Sequence, residues 1–260
     1  MLLSNTIHGF NGARLGNQIF QISLLYSIWK KTKTPFFQKN NGEMFFNCFD
    51  AEIPQSNQVT KNINYGCPFE FYPDVYTKTG VSFGGYFQNI LYVESIRDDL
   101  INFLKFKSEH EDYSLNYISN IKKQYNLPIV GIHIRRGDYL HAEDILGNLT
   151  KSNYYNDAIS SIKEEVCYLI FSDDIEWCKN NFKLQNCEYV SADHYKSLCM
   201  MTHVQYNIIA NSTFSWWGAF LNKNSKTFIP SRWTGKKDYS DCGKLQNLKL
   251  NNWNNIKVNY

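Results

Sequence analysis

The chain has 260 residues, 43% of them hydrophobic and 20% charged, which demands a packed core and excludes a disordered chain. That length suits one large domain or two of ordinary size. A net charge of +3 with scattered Lys and Arg argues against a nucleic-acid partner, leaving only weak peripheral attraction to anionic lipid at pairs such as Lys30-Lys31.

In chain order, a short apolar stretch leads into Gly9-Phe10-Asn11-Gly12-Ala13-Arg14-Leu15-Gly16-Asn17-Gln18. Ile19, Ile22, Leu25, Tyr26 and Trp29 follow at helical spacing, so the segment reads as strand, glycine-bearing loop, helix. The apolar part of this helix is interrupted by Gln21, Ser23 and Ser27 and is too short to span a bilayer. The opening residues also lack a basic stretch followed by an apolar one, so no secretory leader is expected. Residues 35–90 are irregular and rich in Asn, Gly and aromatic residues, whereas 91–125 read as mainly helical.

From Leu127 a regular alternation begins. Strands are predicted at 128–134, 166–171, 188–190, 204–210 and 227–230, with helices at 152–165, 175–182, 195–202 and 213–221. This succession predicts a parallel sheet covered by helices, a Rossmann-like half. The domain boundary is placed at 126/127, giving domains 1–126 and 127–260. The Asn-rich tail at 251–255 reads as loosely held. Seven cysteines without a CxxC pair suggest reduced thiols, neither a disulfide framework nor a zinc cluster.

Four motifs carry candidate chemistry. The first is His133-Ile134-Arg135-Arg136-Gly137-Asp138-Tyr139. Strand alternation puts His133 and Arg135 on one face and Arg136 on the other. A guanidinium on a rigid strand is a bidentate phosphate clamp, and the competing account is ion pairing with carboxylates such as Asp138. The second, Phe171-Ser172-Asp173-Asp174, ends a strand. Its Asp173 either accepts hydrogen bonds from a ligand such as guanine or caps the next helix. The third, Asn211-Ser212-Thr213-Phe214-Ser215-Trp216-Trp217, opens a helix, where backbone N–H groups form an anion site or simply a capped core helix. The fourth is Arg14-Leu15-Gly16-Asn17-Gln18, whose glycine and uncharged amides suit a sugar or a capped turn. There is no Asp-x-Asp, His cluster, Walker loop or GxSxG elbow. No metal site is therefore expected, and Arg135 is the cation available for a phosphate.

In order and spacing, these motifs resemble the inverting α-1,2-fucosyltransferases of glycosyltransferase family 11 along nearly the whole chain. The resemblance implies an α/β, GT-B-like fold, two Rossmann-like domains facing a cleft, with an acceptor-side amino-terminal domain. It implies GDP-β-L-fucose as donor, a galactose-containing acceptor in an oligosaccharide or surface glycan such as an O-antigen, and no metal or other cofactor. By that similarity Arg135 holds the β-phosphate, and His133 and Asp173 read guanine. Ser212, Thr213 and Phe214 contact the diphosphate, and Asn17 lies near the fucose. Arg14, Gly16, Gln18 and Arg136 belong to the same binding motifs, although alternation makes Arg136 structural. Asp138 is either the general base or a support for Arg136. Gly12-Ala13-Arg14 departs from the family, which commonly has a second glycine there. The competing readings are a fucosyltransferase of another linkage or of a protein acceptor, and a catalytically silent nucleotide-sugar-binding module. A bacterial, cytoplasmic enzyme, peripheral to the inner membrane at most, is the expected setting.

Overall fold

The computed structural model describes residues 4–8, 13–37, 42–53, 61–235 and 245–259. The described chain falls into two compact α/β units. The first comprises residues 1–107 with 246–248, and the second 108–245 with 249–260.

In the first unit, strands β1 (Thr6–His8), β2 (Lys61–Asn64) and β3 (Val81–Gly84) form a parallel sheet in the order β1-β3-β2. Helices α1 (Leu15–Thr32), α2 (Glu43–Cys48) and α3 (Arg97–Phe103) complete it. The sequence reading placed Gly16, Asn17 and Gln18 in a loop, but the helix starts earlier. Both Asn17 and Gln18 donate backbone N–H groups to the Arg14 carbonyl, so these residues form the first helical turn. Gly9 to Gly12 lie outside the described residues.

The second unit opens with α4 (Ser108–Tyr125), which packs along α8 (His194–Met201). The sequence reading had assigned this helix to the amino-terminal side of its 126/127 boundary. Six parallel strands follow: β4 (Ile129–Ile134), β5 (Cys167–Ser172), β6 (Cys187–Tyr189), β7 (Tyr206–Ile208), β8 (Lys226–Pro230) and β9 (Asn254–Ile256). Their order is β6-β5-β4-β7-β8-β9. The chain moves outward from β4 to β6, then returns to the other side of β4 and moves outward again. Because such crossovers are right-handed, the intervening helices cover opposite faces of the sheet. Helices α6 (Tyr154–Ser160) and α7 (Ile175–Asn181) bury Tyr154, Tyr155, Ala158 and Cys178 against Val130, Ile132, Ile134 and Ile170. Helix α9 (Thr213–Leu221) packs on α8 with Trp216 and Trp217 buried. A short helix, α5 (Glu143–Leu146), lies between β4 and α6.

Two expectations change. The tail read as loosely held supplies the edge strand β9, paired to β8 from Phe228–Asn254 to Pro230–Ile256. Its preceding Trp253 is buried with its ring centroid 5.7 Å from that of Trp216. Thiols are free at Cys48, Cys167, Cys178, Cys187 and Cys199, but Cys67 is disulfide-bonded. Among the described residues, no helix is long and apolar enough to cross a membrane.

Candidate functional site

The order of the six-stranded sheet reverses between β4 and β7, and ligands of open parallel sheets bind beyond the strand carboxyl ends at such a point. The His133 and Asn211 motifs leave from these two strands. Their side chains meet: the His133 and Phe214 ring centroids are 5.2 Å apart at 45°. His133 is buried, and its Nδ1 has no hydrogen-bond partner. A buried ring nitrogen left without a partner is a position that a ligand group would satisfy. Burial pushes this imidazole down to about 4, against the opposing pull of the Asp173 carboxylate. The neutral ring therefore offers one donor and one acceptor. Tyr155 fixes the strand end by donating its hydroxyl to the His133 carbonyl at 3.0 Å.

Strand β4 ends at Ile134, so Arg135 and Arg136 sit on the turn beyond it, followed by a 3₁₀ turn at Gly137–His141. The two arginines diverge as alternation suggested. Arg135 is held by Asp138 at 2.6 Å and by Asp173 at 2.8 Å, 5.7 Å from the Tyr139 ring centroid. Arg136 Cζ lies over Trp177, 3.7 Å from the ring centroid, and the guanidinium pairs with Asp174 at 3.0 Å. It also donates to the Thr150 hydroxyl. Arg136 is thus built into the α7 side of the fold. Asp138, expected as a base or a support for Arg136, pairs with Arg135.

Asp173 and Asp174 divide the roles left open for them. The helix cap is Asp174, which accepts from the Trp177 N–H, and Ser172 in turn accepts from the Asp174 N–H at 3.0 Å. Asp173 reaches the other way, accepting from the Arg136 N–H at 2.9 Å and pairing with Arg135.

At the β7 end, Ser212 occupies the N-cap of α9 with extended backbone but makes no side-chain cap bond. Ser212, Thr213 and Phe214 are partly exposed, whereas Ser215 to Phe220 are buried. The segment is therefore a core helix whose first turn faces outward, without the side-chain cap that its Asn-Ser-Thr start suggested. Asn211 anchors that turn, its amide donating to the carbonyls of Leu146 and Trp233 at 2.5 and 3.1 Å. Tyr139 closes the ring by donating to the Asn211 carbonyl at 2.7 Å. These supports, with Trp177, escaped the sequence reading; only Tyr139 and Asn211 lay within a motif.

The amino-terminal motif lies in the first unit. Arg14 is exposed and Gly16 buried. Gln18 is buried with both amide ends engaged, donating to the Ala13 carbonyl at 2.8 Å and accepting from the Phe45 N–H at 2.9 Å. Asn17 is partly exposed and accepts from Gln88 at 3.0 Å. A polar group that no motif announced joins the ends of β1, β3 and β2. His8 Nε2 is 2.6 Å from Asn64 Oδ1, and its Nδ1 is 3.0 Å from the Ser82 hydroxyl. The bond to Asn64 passes over Gly84, where any Cβ would collide with both side chains.

The sequence profile of Glycosyl transferase family 11 matches residues 13–257, nearly the whole chain. The chain belongs to glycosyltransferase family 11. Among relatives of this family-11 chain, the O-antigen biosynthesis glycosyltransferase WbnK of Escherichia coli is 32% identical over 201 residues, covering 69% of this chain and 62% of WbnK. An α-1,2-colitosyltransferase of the same species is 31% identical over 200 residues, covering 71% and 63%. The family-11 chain thus spans under two thirds of the length of both. Its fold is shared with the Bradyrhizobium α-1,6-fucosyltransferase NodZ co-crystallised with GDP, at TM-score 0.56 and 12% identity over 85% of this chain and 93% of NodZ. A variant of Arabidopsis thaliana FUT1 in complex with GDP gives TM-score 0.57 at 12% identity over 96% and 76%. The α/β, GT-B-like fold expected from the motifs is therefore the fold of this chain.

Proposed function

We propose that the chain transfers L-fucose from GDP-β-L-fucose to the 2-hydroxyl of a galactoside, with inversion and without a metal. The observation that carries this reading is the pairing, at the β4/β7 reversal, of a strand-end guanidinium with an outward-facing helix start. Arg135 and the first turn of α9 supply fixed positive potential where a diphosphate would gather negative charge. His133, neutral and with a buried nitrogen awaiting a partner, suits the edge of a base such as guanine. The names of the relatives support an α-1,2 linkage and a glycan acceptor, and the GDP complexes of NodZ and FUT1 support the nucleotide.

In this reading the anomeric carbon–oxygen bond to GDP breaks as the acceptor hydroxyl oxygen attacks from the opposite face, its proton leaving to solvent. The transition state is oxocarbenium-like, and Arg135 with the α9 amides stabilises the departing diphosphate. Asp138 and Asp173 hold Arg135 in place until the phosphate arrives. Asn17, with Arg14 and Gly16 beside it, serves the sugar. Gln18 acts by shaping that first turn.

The test is transfer of labelled fucose from GDP-fucose to lactose, with the product linkage assigned by NMR. GDP binding without transfer would reduce the chain to a binding module. Activity abolished by EDTA and restored by magnesium would overturn the metal-free part. The colitosyltransferase relative favours a second sugar, colitose, and a direct competition between the two sugars presented as GDP donors decides between them.

A further inference from the structure

Outside the residues assigned to the donor, Glu111, Cys199 and His203 bring three metal-ligand atoms within 4.8 Å of one another. Glu111 lies in the first turn of α4, and Cys199 near the end of α8. His203 follows Cys199 by four residues, which stacks thiol and imidazole on one side of the helical path. Ser114 donates its hydroxyl to the Lys196 carbonyl at 3.2 Å, tying α4 against α8 and holding Glu111 opposite the pair.

The spacing is that of a coordination shell. Cys199 Sγ is 3.1 Å from Glu111 Oε2 and 3.8 Å from His203 Nε2, and His203 Nε2 is 3.1 Å from Glu111 Oε1. Ligands around one tetrahedral zinc ion, at bond lengths of about 2.0–2.3 Å, stand about 3.3–3.6 Å apart. Each observed separation, taken to the nearer Glu111 oxygen, lies within about half an ångström of that range. Cys199 is buried, whereas the side chains of His203 and Glu111 are 24% and 36% exposed, so water can reach a fourth position. A thiolate, an imidazole and a carboxylate form a borderline-soft set that suits zinc and not magnesium or calcium.

Without a cation, the thiol and the imidazole both donate to a single carboxylate, and burial raises the Cys199 thiol far above its ordinary range. Metal binding would replace the thiol proton, which leaves to solvent. We propose that Glu111, Cys199 and His203 bind one zinc ion, with water as fourth ligand, and that it staples α4 to α8. The site is separate from the residues assigned to the donor.

The experiment uses the whole chain, stripped with chelator, desalted and titrated with cobalt(II). One equivalent should produce thiolate-to-cobalt charge-transfer absorption, which zinc then displaces. A hundredfold excess of zinc over its Kd should raise Tm by about 5–10 °C. Cys199→Ala should lose the absorption and the Tm response, and His203→Gln should weaken cobalt binding at least tenfold. Absence of the absorption in wild-type protein with a native circular dichroism spectrum overturns the proposal, as does its survival in Cys199→Ala. If Cys199→Ala does not fold, the partly exposed His203→Gln decides, and unchanged cobalt affinity there also overturns it. Chelation should lower Tm while leaving fucosyl transfer at low temperature intact. A magnesium-restorable loss of transfer would count against the proposed metal-free chemistry instead.

Discussion

Gly137 lies so close to Asp173 that a Cβ at position 137 would stand 2.5 Å from Asp173 Oδ2, the oxygen that pairs with Arg135. The glycine is there because the carboxylate needs the space. Gly137→Ala would push Asp173 away and unhook Arg135 from one of its two supports. Displacing a charge-stabilising group by about 1 Å costs on the order of 10²-fold in rate. The expected result is a loss of that order in kcat for fucosyl transfer, with the urea midpoint little changed, read from initial rates and equilibrium unfolding.

Arg135 and Arg136 should separate cleanly. Arg135→Lys keeps the charge but loses the fork that faces two carboxylates here, and would face a diphosphate in the proposed reaction. Its kcat should fall by about 10²–10³, the usual cost of removing one preorganised donor. Arg136→Lys instead loses the stack on Trp177 and the Asp174 contact. It should lower stability by about 1–2 kcal/mol, seen in urea unfolding, while kcat per folded molecule stays near wild type. Equal kinetic losses in the two variants would refute this division.

The legible part of the fold is the part whose signal is carried by side-chain pattern. Helix α9 is read at its observed ends, Thr213–Leu221, because an Asn-Ser-Thr start and a buried aromatic run mark it locally. Strand β9 escaped because an edge strand binds through backbone groups, which leave no trace in the side chains Asn254-Asn255-Ile256. The start of α1 was misplaced because Arg14 offers no side-chain cap and Gly16 reads as a breaker. In the candidate site, strand alternation already separated Arg135 from Arg136, and their different carboxylate partners follow that division. The partners of Arg136 could not be read in advance, since Asp174 and Trp177 meet it across a β-α-β crossover some 40 residues on.

Asn17 and Gln18 adjoin in one motif but should fail in different assays. Gln18 is buried between the Ala13 carbonyl and the Phe45 N–H, so Gln18→Ala leaves both without their partner. A loss of about 2–4 kcal/mol of stability is expected, measurable as a lower urea midpoint. Asn17 is partly exposed, and its side-chain oxygen accepts from Gln88. Asn17→Ala should leave the midpoint within about 0.5 kcal/mol and raise KM or lower kcat for transfer. A stability loss in Asn17→Ala as large as that in Gln18→Ala would make Asn17 structural too.

His133 should make the chain acid-sensitive in a defined window. Burial lowers its imidazole from 6.5 to about 4, so the folded state keeps the ring neutral well below neutrality. Above about pH 6.5 the ring is neutral in both folded and unfolded chains, and its contribution to stability is fully present. As pH falls below that value, the unfolded chain binds a proton that the folded chain refuses. Stability therefore declines until about pH 4, where the folded form also protonates. The full loss amounts to about 3 kcal/mol. His133→Gln removes the titrating group while keeping a polar side chain beside Phe214. Urea unfolding between pH 7 and pH 4.5 should show a shallower decline in that variant than in the wild type. Parallel declines would assign the acid sensitivity to other groups. GDP-fucose affinity supplies an independent reading, since its diphosphate diester does not titrate in this range and a neutral His133 predicts binding by the wild type that stays level from pH 7 to about pH 5.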